Sequence, residues 1–192
     1  MKTRALTLAA FLVISVSLAA QENEKIKYSN VTEFGFTAAS PKGISFEATT
    51  AHGFSIEKQH HLGLGTGIGT ILLNQGGYYN KPKRTNSTVY MPIFFNYRVY
   101  FKPDKKFSPH VNIAVGGLTI EDGAGVYSAV TMGFKVGAFS FSSGLSFMPY
   151  YRKYYFHGFF YEAWGTIIEQ KSYTYTEWYY PFGMTLKLGF AF

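Results

Sequence analysis

Five histidines are the residues of this chain best suited to acid–base or metal chemistry: His52, His60, His61, His110 and His157. Acyl transfer would need one of them beside a serine hydroxyl, with a carboxylate behind it. On an extended strand, hydroxyl and imidazole share a face only at a spacing of two. No His-x-Ser pair occurs. His157 with Glu162 or Glu169 and Ser172 is the remaining combination, and it falls in a stretch that reads as a loop. His60 and His61 are adjacent, so on a strand they point opposite ways and do not chelate one ion. The chain has no cysteine, which excludes disulfides, thiolate metal sites and lipid attachment through cysteine. These residue types point away from catalysis, metals and other cofactors, and no enzyme activity is expected.

The elements that must position the remaining polar residues are strands. From Trp178 to Phe192 every second residue is apolar: Trp178, Tyr180, Phe182, Met184, Leu186, Leu188, Phe190 and Phe192. Between them lie Tyr179, Pro181, Gly183, Thr185, Lys187, Gly189 and Ala191. A period of two gives one oily face and one small, polar or charged face. Seven further segments alternate in the same way, near 28–39, 43–57, 61–73, 88–101, 109–119, 126–137 and 139–151. The connections after odd-numbered segments include two long ones, Asn74 to Ser87 and Arg152 to Thr174. Those after even-numbered segments are shorter. The second long connection is rich in aromatics, from Tyr154 to Trp164, and is read as a loop able to extend the wall as a hairpin.

The N-terminus reads as an export signal. Lys2 and Arg4 precede an apolar core from Ala5 to Leu18, and small residues at Ala19 and Ala20 offer a cleavage site. Residues 1–20 are therefore expected to be a signal peptide and 21–192 a single barrel domain. No second apolar run approaches the ~18 residues of a helical span. Eighteen Lys and Arg against eleven Asp and Glu leave a modest basic excess. The basic residues are scattered rather than gathered on one element, so no nucleic-acid partner is expected. Aromatics at 19% and 20 glycines fit a membrane barrel with aromatic girdles and a tapered interior.

The expected fold is all-β: an eight-stranded antiparallel transmembrane β-barrel, an up-and-down meander. In lipid every backbone group must pair internally, so a sheet must close on itself. With the apolar stripe outward, Glu33, Glu47, Arg98, Lys135 and Lys187 point into the lumen. Glu33 and Lys187 fall at similar heights on strands that closure makes neighbours, and are expected to pair or to share a network with Arg98; Lys135 is expected in the same lumen charge network. Gly63, Gly65, Gly67 and Gly69 make one inward wall, read either as packing against large neighbours or as the border of a small-ligand cavity. Pro149 and Pro181 lie at similar heights on adjacent strands and each removes a ladder donor. They mark either a lateral seam or the place where the ladder ends. A soluble lipocalin-type barrel is the rival fold, with Leu188 and Phe190 inside and Lys187 outside.

The terminal Gly183 to Phe192 strand, the leader and the stretch Tyr90-Met91-Pro92-Ile93-Phe94-Phe95-Asn96-Tyr97-Arg98 carry a resemblance. So do Phe107-Ser108-Pro109 and Val115-Gly116-Gly117. With these the chain resembles the small outer-membrane β-barrel families of Gram-negative bacteria, of the OmpA, OmpX and OmpW type. The resemblance implies a monomer in the outer membrane of the cell envelope, with both termini periplasmic. It implies Phe192 and Phe190 as a signal read by the barrel-assembly machinery. It further implies contact with outer-membrane lipid and lipopolysaccharide; by their charge Lys81, Lys83 and Arg84 read either as a contact to its phosphates or as a solvated basic loop. The expected function is non-enzymatic, structural or surface-interacting. The alternatives are a narrow porin-like conduit for small or hydrophobic solutes and, behind it, a lipid-modifying enzyme.

Overall fold

The computed structural model describes residues 25–40, 43–75, 84–161 and 167–191. The segment 1–20, Lys81, Lys83 and Phe192 lie outside the described residues. Ten strands follow one another: β1 (Ile26–Ser40), β2 (Gly43–Ile56), β3 (His60–Gln75), β4 (Arg84–Tyr100) and β5 (Phe107–Ile120), then β6 (Gly123–Val136), β7 (Phe139–Phe147), β8 (Tyr150–Tyr161), β9 (Ile167–Tyr179) and β10 (Phe182–Ala191). Strands β1 to β7 pair in sequence, each antiparallel to the next. β10 then inserts between β7 and β1 and closes the barrel at eight strands. Closure gives each barrel strand a hydrogen-bonded neighbour on both sides, so the wall has no raw edge.

The alternation sets which face turns inward. On β10, Leu186, Leu188 and Phe190 are 47%, 61% and 40% exposed, whereas Thr185 and Lys187 are 1% and 3% exposed. The other strands follow suit: Met91, Ile93 and Phe95 on β4 and Val130, Met132 and Phe134 on β6 are exposed. The lipocalin-type face assignment, with Leu188 and Phe190 inside and Lys187 outside, is the reverse of this one.

Two expected strands are interrupted. The seventh breaks between Phe147 and Tyr150, and the eighth between Tyr179 and Phe182. Pro149 and Pro181 lie in the two breaks and have no N–H to give. The ladder neither ends there nor slips. Phe147 pairs with Phe182, and three residues further on Tyr150 pairs with Tyr179. Between them the Met148 N–H donates to the Pro181 carbonyl at 3.0 Å, and the Val126 N–H to the Pro149 carbonyl at 2.8 Å. The segment read as a fourth loop is the β8–β9 hairpin. It is fastened to the barrel by Gly123↔Arg152, Ala124↔Tyr151 and Gly125↔Tyr150.

At the opposite end, β2 turns into β3 through Glu57 and Lys58, both left-handed (φ 52° and 60°), with the Gln59 N–H on the Ile56 carbonyl at 3.0 Å. This geometry matches the twist of a hairpin but disfavours side chains. The Glu57 N–H donates to the Lys25 carbonyl at 2.7 Å, and Lys58 pairs with Asp104 at 2.9 Å, which anchors the turn. The lumen divides into two halves. Toward the hairpin it holds an apolar cluster with Ile71, Tyr90, Phe94, Leu118, Tyr127, Met148 and Tyr150. Toward the termini it holds His61, His110, Asn112, Ser108 and Thr131, all buried.

Candidate functional site

The charged centre of the lumen is built by register. Gly35 on β1 pairs with Lys187 on one side and with Glu47 on the other. With no side chain at Gly35, the Lys187 ammonium reaches across it to Glu47 Oε1 at 2.6 Å. Glu33, two residues nearer the start of β1, pairs with Gly189 and Thr49. Arg98 crosses the lumen from β4 and its Nη2 donates to Glu33 Oε1. Lys187 lies 4.0 Å from Glu33 Oε2, which links the two pairs. Glu33 and Lys187 thus share the expected network with Arg98: Arg98 is the near partner of Glu33, and Glu47, which lies outside that expectation, is that of Lys187.

Neutral donors complete the centre. The Tyr90 hydroxyl donates to Glu47 Oε2 at 2.9 Å, and the Tyr127 hydroxyl to Glu47 Oε1 at 3.1 Å. Lys187 also donates to the Tyr127 oxygen at 3.2 Å. Arg98 Nε and the Asn96 amide both donate to Asn112 Oδ1, at 3.3 and 2.9 Å. Two carboxylates and two cations compensate each other while buried, which is the condition under which charges persist away from water. Lys135, expected in this network, stands apart from it. Its ammonium lies 5.3 Å from the centre of the Tyr100 ring, at the lumen mouth near the termini.

The glycine wall is covered by packing. A Cβ built on Gly65 would stand 2.3 Å from the Phe94 ring, and one on Gly69 2.3 Å from the Tyr90 ring. At Gly67 it would meet Thr49 Cγ2 at 2.8 Å, and at Gly63 His61 Nε2 at 2.9 Å. Gly65 and Gly69 make room for Phe94 and Tyr90 on β4, and Gly63 and Gly67 for the β2 backbone, His61 and Thr49, which is the packing reading of this wall. Phe94, Tyr90 and Tyr127 occupy the space that a conduit along it would need.

The histidines separate into different environments. His61 and His110 are buried in the lumen, each 1% exposed. His52 faces outward, with the Tyr28 hydroxyl 2.5 Å from Nδ1 and the Thr50 hydroxyl 3.2 Å from Nε2. This hydroxyl–imidazole–phenol chain includes no carboxylate, so it lacks the acid of a triad. His60 stacks on Tyr97 and shares a 3.0 Å hydrogen bond with its hydroxyl, on the same outer face. His157 lies opposite Ser172 in the β8–β9 ladder, while Glu162 falls outside the described residues. Among the described residues no group of three or more His, Cys, Asp or Glu gathers to hold a metal.

Pro149 and Pro181 sit one row apart where the barrel wall passes into the hairpin, since Pro181 lies opposite Met148. Above them Tyr154, Tyr179 and Glu177 form a hydrogen-bonded chain, at 2.9 and 2.7 Å. Burial, together with these bonds, raises the Tyr179 hydroxyl well above the ordinary tyrosine value. Neither a protein-family model nor a curated protein matches the chain.

Sequence reasoning left Glu47 out of the network and missed Tyr90, Tyr127 and Ser108. Glu47 was detectable in principle: Lys187, Gly35 and Glu47 are an opposite-charge pair flanking a residue without a side chain. The tyrosines reach Glu47 across the lumen from strands that are not its neighbours, and no period-two pattern marks that. Ser108 and His110 share a face at a spacing of two, but in the order Ser-x-His.

Proposed function

We propose that this chain is an integral outer-membrane barrel, crossing the bilayer with β1 to β7 and β10, that serves a non-enzymatic structural or surface-interaction role. The observation that carries this reading is the belt of exposed apolar side chains around a closed wall whose four buried charges, Glu33, Glu47, Arg98 and Lys187, face inward. In water such a belt would aggregate; in hydrocarbon it is the favoured outer surface. Strand length agrees. A tilted strand crosses hydrocarbon in about 9–11 residues, and β7 and β10 have 9 and 10 before the proline breaks. On the outer wall near the termini, the Tyr28–His52 and His60–Tyr97 pairs make a polar row suited to headgroups rather than acyl chains.

Short turns at the terminal end favour a periplasmic placement of that end. The β8–β9 hairpin then stands at the cell surface, where exposed Tyr155, Tyr173 and Tyr175 offer the recognition area. The packed lumen supports a sealed barrel over a conduit.

The test is refolding from urea in the presence of phosphatidylcholine vesicles. The reading expects a protease-resistant species that floats with the vesicles and migrates differently on gels with and without boiling. A monodisperse protein in detergent-free buffer that ignores the vesicles would overturn it.

A further inference from the structure

At the end of the barrel near the termini the lumen opens into a cavity of about 300 Å³. Six lysines line it and, among the described residues, no Asp or Glu does. Two of the six are engaged at its rim: Lys25 pairs with Glu57 and Lys58 with Asp104. The other four are Lys27, Lys105, Lys106 and Lys135. They come from β1, the β4–β5 turn and β6, elements far apart in the chain that closure brings around one opening. Lys135 is the deepest, half-buried over the Tyr100 ring, which also lines the cavity.

The wall supplies an independent observation. Ser108 is 3% exposed, lines the cavity, and its hydroxyl has no hydrogen-bond partner among the described residues. An unpartnered buried hydroxyl is unfavourable unless something meets it. Converging ammonium groups and one hydroxyl donor match an oxyanion with several acceptor oxygens and more than one negative charge. A concave site with low-dielectric walls also concentrates such ions more than a flat basic surface does.

We propose that this mouth is a binding site for a phosphate group, held by Lys135, Lys27 and the Ser108 hydroxyl and screened by Lys105 and Lys106. The phosphate comes either from a soluble compound entering along the barrel axis or from a lipid headgroup of the adjoining leaflet. Only the lipid source rests on the membrane reading.

The probe is inorganic phosphate, followed by ³¹P NMR line broadening on the full chain in zwitterionic detergent micelles. Saturable binding that sulfate competes away and chloride does not is expected. Lys135→Gln should weaken it about tenfold, the scale of one charge-assisted hydrogen bond. Ser108→Ala should weaken it less, and Lys153→Gln, on the hairpin at the other end, should leave it unchanged. The double variant Lys105→Gln, Lys106→Gln lies on an exposed turn and tests the same point without touching the wall. Repeating the titration in nanodiscs of phosphatidylcholine with and without phosphatidylglycerol separates the sources. Displacement by phosphatidylglycerol assigns the site to lipid; unchanged binding assigns it to a soluble phosphate. No saturable phosphate binding by the folded chain, or equal binding by wild type, Lys135→Gln and the turn double variant, would overturn the proposal whether or not the barrel inserts in lipid.

Discussion

Gly35 is where the buried charges of this barrel meet, although it carries none. A Cβ at that position would come 2.8 Å from Glu47 Cγ and intrude on the approach of Lys187. The four ions Glu33, Glu47, Arg98 and Lys187 sum to zero, so removing one leaves an uncompensated buried charge. Lys187→Met and Glu47→Gln should each destabilise the fold by about 3–5 kcal/mol. The double variant restores neutrality and keeps the oxygen of residue 47 as an acceptor for Tyr90 and Tyr127. Its loss should fall well short of the sum of the two. Urea unfolding in micelles followed by tryptophan fluorescence measures all three, and strict additivity would show that the ions do not act as a unit. The alternation in the sequence marks these ions as inward-facing, because period two assigns a face without knowledge of the fold. Sequence reasoning places Arg98 with Glu33 and Lys187 but leaves out Glu47, the near partner of Lys187. Glu33 and Lys187 look level when counted along the chain, but register places Lys187 opposite Gly35, and Arg98 arrives from a strand that does not touch β1.

Strands β7 with β8, and β10 with β9, behave as two long strands that each lose a donor at a proline. The pairings Phe147↔Phe182 and Tyr150↔Tyr179 keep one register across the break. The hairpin therefore continues the barrel ladder instead of forming a separate lobe. Amide exchange in micelles should find protection on both sides, at Leu145 and at Tyr151, with fast exchange confined to the residues beside Pro149 and Pro181. Fast exchange throughout β8 and β9 would mean that the hairpin is not held by the wall. Because only three pairs tie β8 to β6, replacing residues 152–177 by a short Gly-Ser turn should leave the barrel folded. Eight alternating segments were legible in the sequence, and with them the closed meander and its outward oily face. The hairpin was legible only as a length of aromatic-rich chain. Its alternation is weak because Tyr173, Thr174, Tyr175 and Thr176 are all exposed, so neither face has a core to select residues for.

At the scale of the whole molecule the lumen is stratified: an apolar cluster toward the hairpin, the compensated ions in the middle, and the lysine-lined mouth near the termini. A solute entering from the mouth meets cations first, then a centre whose carboxylates are already occupied, then the tilted rings of Phe94 and Tyr127, their centres 5.0 Å apart. An ion passing that layer would shed its water with no free counter-charge to replace it, at a cost of several kcal/mol even after relaxation. Planar-bilayer recordings of the wild-type barrel should therefore show no resolved conductance steps. The Phe94→Ala, Tyr127→Ala double variant removes the rings while Lys187 still pairs with Glu47, and it should open brief cation- or anion-carrying events. Of the two barriers, the aromatic layer is the one a mutation can remove without stranding a charge. Steady wild-type conductance, abolished by sulfate or phosphate on the side of the termini, would instead place the gate at the lysine mouth and make the aromatic layer permeable as it stands.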